Sequence, residues 1–272
     1  MKALVVGNGS IGKRRVRDLA AIDVDVVTAD PISDADEHDP LDAIRKHGPG
    51  GLVLVCSPSS EHVWQTMQAI DAGALAIMVE KPPAYSAGEW ALVASMAAKR
   101  KVPVVVGFNY RYHPVIEFLR TQGAPETLII SAADDVMGWP SFGPNSYACD
   151  PRHGGALMTS AVHAVDVAVH LKGPGRVLSS GLVRGPGFMA QVVSWVLIEI
   201  EHEVGRSVIS NNWFGPPHSY VAGLDMTASP ADEMHKRLAA EFVKYAATGA
   251  AGLLCTAEQA IPVMQILDEV RA

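Results

Sequence analysis

Four short runs in the first half of the chain are apolar at nearly every position: residues 3–6, 52–55, 74–79 and 102–106. A fifth, 26–29, ends in the acid Asp30. Runs of this length with no polar alternation predict strands buried on both faces. Between them the apolar residues recur at helical spacing: Ile11, Val16, Leu19 and Ala20 after the first run, and Val63, Met67 and Ile70 ahead of 74–79. Ser59 or Ser60 can cap the helix that starts at Glu61, and Gly73 ends it; Ser86, with Glu89 three residues on, forms a capping box for a helix through Ala98. A polar, acidic loop at 31–40 leads to a short helix at 41–46, stopped by Gly48, Pro49, Gly50 and Gly51. Strand–helix alternation over residues 1–107 predicts a parallel sheet with helices on both faces.

The second half is patterned differently. A helix at 115–122 and a strand at 127–133 precede a loop rich in Gly, Pro and aromatics at 137–153. A long apolar helix at 154–171 is ended by Gly173 and Pro174. Strand-like runs with hairpin spacing follow at 177–183, 190–200, 207–213 and 219–224, and helices at 230–247 and 256–270 close the chain. In 190–200 Val192, Ser194, Val196, Ile198 and Ile200 alternate with Val193, Trp195, Leu197 and Glu199, so one face is partly wet at its far end. This predicts an antiparallel sheet with one side on the helix and the other free to meet a partner subunit.

The first run leads into Gly7-Asn8-Gly9-Ser10-Ile11-Gly12. In a strand–turn–helix setting the three glycines serve different ends. Gly7 makes the tight turn, Gly9 lets a pyrophosphate approach the backbone, and Gly12 lets the helix pack on the strand. The helix N-terminus offers N–H groups and partial positive charge to the phosphates through Ser10 and Ile11. Asp30 stands where an acid binds a ribose 2′-hydroxyl and repels a 2′-phosphate, which points to NAD; Arg14 and Arg15, able to accept that phosphate, keep NADP open. Gly7, Asp30, Ser57, Glu80, Lys81 and Asn109 all fall at carboxyl ends of predicted strands, where open α/β sheets bind ligands.

The 272 residues, 49% hydrophobic and 19% charged, suit a sizeable core in one large or two modest domains. A net charge of −7 and the absence of a basic block argue against nucleic acid, and no apolar run is long enough to span a bilayer. Cys56, Cys149 and Cys255 are odd in number and in no metal-ligand pattern, so no metal site is expected. Free thiols and the lack of a signal peptide point to a cytoplasmic protein.

The glycine motif, Glu80-Lys81-Pro82, Asn109-Tyr110-Arg111, and Gly154-Gly155 leading to His163-Ala164-Val165-Asp166 together resemble the Gfo/Idh/MocA family of oxidoreductases. The order and spacing cover nearly the whole chain, and the glycine motif with 147–163 looks like members encoded with surface-sugar pathways. The resemblance implies an α/β protein: a Rossmann NAD(P)-binding domain over 1–108 with a doubly wound parallel sheet, then an α+β domain over 109–272 with an open, mostly antiparallel sheet. The closing helices are free to pack back on the first domain. It further implies hydride transfer between nicotinamide and a hydroxyl or keto carbon of a sugar, cyclitol or nucleotide-linked sugar, with the sheet joining a homodimer or homotetramer.

On that resemblance Lys81 hydrogen-bonds the reacting oxygen and His163 is the general acid/base. Glu80 orients Lys81, and the glycines with Arg14, Ser57, Pro58, His62 and Asn109 border the cofactor. Tyr110, Arg111, Tyr147, Thr159 and Asp166 face the substrate, with Trp139 and Arg152 on the preceding loop. For the aromatics and arginines, core packing or an ion pair is an equal reading; for Asp166, a structural cap is. Two departures stand out: the chain is shorter than most members, and Thr159 occupies the place, four residues before the histidine, where dehydrogenases of the family often carry Asp. Threonine carries no charge, so the rise in histidine pKa that a carboxylate would cause is absent. The alternative is a non-catalytic, dinucleotide-binding sensor or subunit.

Overall fold

The computed structural model describes every residue except 140–141, 152–154 and 228–230, together with the side chain of Ala231. The expected start of the first closing helix, and Arg152 and Gly154 of the site motifs, lie outside the described residues. The chain divides into two compact units: Met1–Asn109 with Ala231–Ile261, and Tyr110–Pro230 with Pro262–Ala272.

In the first unit β1 (Lys2–Val6), α1 (Ser10–Ala20), β2 (Asp25–Ala29), α2 (Pro40–His47), β3 (Leu52–Val55), α3 (His62–Asp71), β4 (Ala76–Val79), α4 (Ala87–Arg100) and β5 (Val104–Val106) alternate strictly. β3, β4 and β5 are buried at every residue, which is why their sequences show no polar alternation. The Ser86 hydroxyl accepts from the Glu89 N–H and the Glu89 carboxylate accepts from the Ser86 N–H, completing the capping box that starts α4. From the end of the chain this unit takes α7 (Ala231–Thr248) and β12 (Cys255–Thr256). The sheet order is β12-β5-β4-β3-β1-β2; β1 to β5 run parallel, and β12 is an antiparallel edge on β5. The order turns back between β3 and β1, so the loops after β1, β2 and β3 open at the sheet's switch point.

The second unit holds α5 (Pro114–Gln122), β6 (Thr127–Asp135), α6 (Val162–Lys172), β7 (Gly175–Arg184), β8 (Val193–His202), β9 (Arg206–Asn212), β10 (Phe214–Val221) and β11 (Leu224–Asp225). α8 (Ala257–Arg271) begins in the first unit and ends in this one. The six strands form one sheet in the order β11-β10-β6-β9-β8-β7, antiparallel except for the parallel pair β6–β9. α6 and the turn before it lie on one face. β8 alternates as its sequence requires: Ser194, Val196, Ile198, Ile200 and His202 are buried, and Trp195 and Leu197 are exposed.

Three details depart from the expected elements. Neither Ser59 nor Ser60 caps α3: they belong to a 3-10 turn, Ser59–Glu61, and α3 starts at His62 with no side-chain cap. Residues 154–171 are not one continuous α-helix; Leu157–Ala161 is π-helical and α6 begins at Val162. Thr159 therefore lies in the π-helical turn and His163 in α6, so the two do not share one regular α-helix. α1 also buries a different face from the one its apolar residues suggest: Gly12, Arg15, Asp18 and Leu19 are buried, whereas Ala20 is exposed.

Candidate active-site residues

The glycine turn of the first unit fits a dinucleotide. Gly7 has φ +94°, and a Cβ on it would stand 2.5 Å from the Ser57 nitrogen. A Cβ on Gly12 would stand 1.9 Å from the Gly7 carbonyl oxygen, so α1 packs against the turn only because that residue has no side chain. At Gly9 nothing lies within 4 Å of the Cβ position, which leaves the approach to the backbone open. No side chain caps α1 and its first turn carries no acid, so the N–H groups around Ser10 and Ile11 are offered to an anion.

Asp30 is fixed beside this turn. Its Oδ2 accepts from the Asn8 N–H at 2.8 Å, and its Oδ1 from the N–H groups of Ile32 and Ser33 at 2.9 and 2.8 Å. Partial burial raises its pKa, but the amides more than offset this and hold the carboxyl below its ordinary value. Neither neighbouring arginine faces it. Arg14 pairs with Asp232, and Arg15, fully buried, gives Nε and Nη2 to Glu80 Oε1 at 2.8 and 2.6 Å.

The strand ends beyond β3 and β4 are joined by His62. Its Nδ1 lies 2.8 Å from the Pro82 carbonyl oxygen and its Nε2 2.9 Å from that of Ser57. The ring is 1% exposed, so its contacts are with the loop backbones that flank the site. Ser57 donates to Gln65 at 2.6 Å, and Pro58 immediately precedes the short 3-10 turn Ser59–Glu61. Glu80 is buried, Lys81 is half-buried, and the Lys81–Pro82 peptide is cis. Desolvation pushes the Glu80 carboxyl up, and the charge and hydrogen bonds of Arg15 reverse this to a net depression. Desolvation lowers the Lys81 ammonium pKa, partly opposed by Glu80. Asn109, 4% exposed, follows β5.

In the second unit Tyr110 stacks on His163, with ring centroids 4.7 Å apart and planes 20° apart. Burial, and then the Asp134 carboxylate, raise the pKa of the Tyr110 phenol. Arg111 Nε lies 3.1 and 3.0 Å from the two Asp166 oxygens, and Nη2 lies 2.6 Å from Oδ1. Both partners are buried, so this is the ion-pair reading of Arg111, with Asp166 as its counter-ion. Thr159 is buried in the π-turn, and Tyr147 is exposed on the 3-10 turn Tyr147–Cys149.

Trp139 donates to Asp134 at 2.9 Å and meets Trp213 edge-on at 5.8 Å; Trp213 in turn donates to the Ser160 hydroxyl at 2.9 Å. Asp134 and Trp213 escaped the sequence reading: Trp213 is fixed by Ser160, remote in the chain, and Asp134 by Trp139 on a loop with no regular pattern. The buried charge of Arg15 escaped it too; a cation three residues after Gly12, on the sheet-facing side of the helix, is the signal that could have shown it.

A glycine turn at a helix N-terminus, an acid at the end of the next strand and a parallel sheet with its switch point there define an NAD-binding Rossmann unit. Residues 1–108 match the Gfo/Idh/MocA family model, described as oxidoreductase family, NAD-binding Rossmann fold, and NAD is the cofactor of this fold. The uncharacterized oxidoreductase YrbE of Bacillus subtilis (strain 168) is 27% identical over 191 residues, which is 62% of this chain and 53% of YrbE. Other curated relatives are matched over 36–39% of their own length, so the aligned stretch spans about half of these relatives or less. Two solved structures share the fold across 100% of this chain. GenD2 from gentamicin A biosynthesis, in complex with NAD, has a TM-score of 0.83 at 19% identity over 93% of its chain. A myo-inositol dehydrogenase from Corynebacterium glutamicum ATCC 13032 has a TM-score of 0.78 at 18% identity over 95% of its chain.

Proposed function

We propose that this protein is an NAD-dependent oxidoreductase acting on a hydroxyl or keto carbon of a sugar, cyclitol or nucleotide-linked sugar. One observation carries the reading: Lys81, half-buried and lowered in pKa, leaves the sheet at the same edge as the glycine turn and Asp30. The glycine turn and the α1 N-terminus bind the pyrophosphate, and Asp30 takes the ribose 2′-hydroxyl and disfavours a 2′-phosphate. Bound nicotinamide supplies a hydride acceptor or donor. Lys81 hydrogen-bonds the reacting oxygen and stabilises negative charge on it. His163, its ring face covered by Tyr110, takes the alcohol proton on oxidation and returns it on reduction. Tyr110, Tyr147 and Thr159 contact the substrate. The working form is a homodimer or homotetramer joined through the exposed face of the second unit's sheet.

A panel of sugars and inositols scanned by nicotinamide absorbance tests the reading. Turnover is expected, and Lys81→Ala and His163→Ala should each lower kcat by about 10²–10⁴-fold. Full turnover in both variants removes the assignment. Thr159, in place of a carboxylate, favours a second reading: a dinucleotide-binding sensor or subunit. Tight NADH binding with no turnover across the panel supports that one.

A further inference from the structure

We propose that Arg15 is a positioning residue: its buried guanidinium ties Glu80, and through Glu80 the chain entering Lys81, to the phosphate-binding helix. The inference rests on the reading of Lys81 as the group that meets the reacting oxygen.

The geometry is that of a clamp. Nε and Nη2 of Arg15 both reach Glu80 Oε1, at 2.8 and 2.6 Å, and Nη1 lies 3.4 Å from the His235 carbonyl oxygen on α7. Arg15 is 0% exposed and Glu80 5%. Space for the carboxylate comes from Gly107, where a Cβ would stand 3.1 Å from each Glu80 oxygen. Nearby Cys56 is buried, and desolvation with the Glu80 charge keeps its thiol protonated. Of the cationic groups acting on Glu80, Arg15 acts most and Lys81 less; His235, which desolvation holds neutral, adds charge only in acid. Of these, only Arg15 comes from the helix whose N-terminus receives the phosphates. Its pairing with Glu80 explains why a charged residue occupies the buried side of α1 three residues after Gly12. A fork of fixed N–H groups can hold a carboxylate in one orientation; a lysine ammonium there would keep the charge without that constraint.

Two readouts separate the clamp from mere support of the fold. The first is the pH midpoint of Lys81 acetylation, followed by peptide mass spectrometry on the whole protein, which needs no substrate. In Arg15→Met, Glu80 is left to Lys81 as its main partner, so the midpoint should rise by about half a unit or more; in Glu80→Gln it should fall. The second is the relation of kcat to Tm once a substrate is found. Arg15→Met/Glu80→Gln removes both charges and should regain Tm relative to Arg15→Met while kcat stays low. Arg15→Lys should fold, keep cofactor affinity within about twofold and lose about fivefold or more in kcat, as supporting-shell changes do. An unmoved Lys81 midpoint in Arg15→Met, kcat returning with Tm in the double variant, or wild-type kcat in Arg15→Lys would overturn the proposal. Should Arg15→Met not fold, Glu80→Gln and Arg15→Lys decide it. Failure of the parent reading shows elsewhere: turnover survives Lys81→Ala, whatever the labelling midpoints do.

Discussion

At the scale of single residues the proposed choice between cofactors falls to Asp30. Three backbone amides hold its carboxylate beside the glycine turn and favour its charged form. A ribose 2′-hydroxyl can donate to that carboxylate, whereas a 2′-phosphate would meet like charge. The arginines that could reverse the preference are engaged elsewhere, Arg14 with Asp232 and Arg15 with Glu80. The protein should therefore bind NADH more tightly than NADPH. A hydrogen bond to a charged group contributes about 1.5–3 kcal/mol, so Asp30→Ser should shrink the preference by about tenfold or more. Fluorescence titration of both nucleotides measures this. Equal affinity of the wild type for NADH and NADPH would sink the assignment.

Among the elements, the sheet of the second unit leaves the most to explain. One face is covered by α6 and the π-helical turn. The other presents Ile129, Val183, Trp195, Leu197 and Tyr220 to solvent, each at least 41% exposed. Register sets Val183 beside Trp195, and Trp195 beside Asn212, so these side chains form a continuous surface. Exposed apolar faces of this kind commonly serve association, and two copies of the same face can meet about a two-fold axis, as the proposal requires. Light scattering on the purified protein should give a mass at least twice the 28.9 kDa of one chain. The Trp195→Lys/Leu197→Lys variant should run as a monomer with NADH affinity within about twofold of wild type, since a desolvated lysine pair at an apolar contact has no compensating charge. A monomeric wild type removes this element of the proposal. Much of both sheets could be read from sequence because the signals are local: wholly apolar runs at 52–55 and 76–79, the Ser86–Glu89 box, and alternation along β8. The parallel pairing of β6 with β9 and the burial of Arg15 were not legible, since each is fixed by a partner dozens of residues away. The π-turn at Leu157–Ala161 was not legible either: one extra residue in a helical turn leaves the apolar pattern nearly unchanged.

Across the whole molecule several histidines are folded in their neutral form, and this sets how stability should respond to acid. His113 accepts the Val115 N–H at Nδ1, a bond only an unprotonated nitrogen can make, while Nε2 lies 3.1 Å from the Met226 carbonyl oxygen. His202 sits between the Gly173 carbonyl oxygen and the Ser207 hydroxyl, an arrangement that the neutral ring satisfies with one donor and one acceptor. Desolvation, aided by nearby arginines, lowers His170 and His235 to about 4; desolvation also lowers His113 and His202. Unfolded histidine titrates near 6.5. Below that pH the unfolded chain binds protons that the folded chain does not, so stability is fully present above about 6.5 and declines as pH falls toward 4. The depressed carboxylates Asp30 and Glu80 act in a lower window, because their contribution is lost only as pH drops through values below the ordinary carboxylate range. Urea unfolding at pH 7.5, 6.0 and 5.0 should therefore show a falling midpoint before Asp30 or Glu80 titrates. His170→Leu removes one such group from an apolar helix, so its loss between pH 7.5 and 5.0 should be smaller than that of the wild type. A wild-type midpoint that stays level from pH 7.5 to 5.0 would mean that these histidines take up protons over the same range folded and unfolded, and would overturn the prediction.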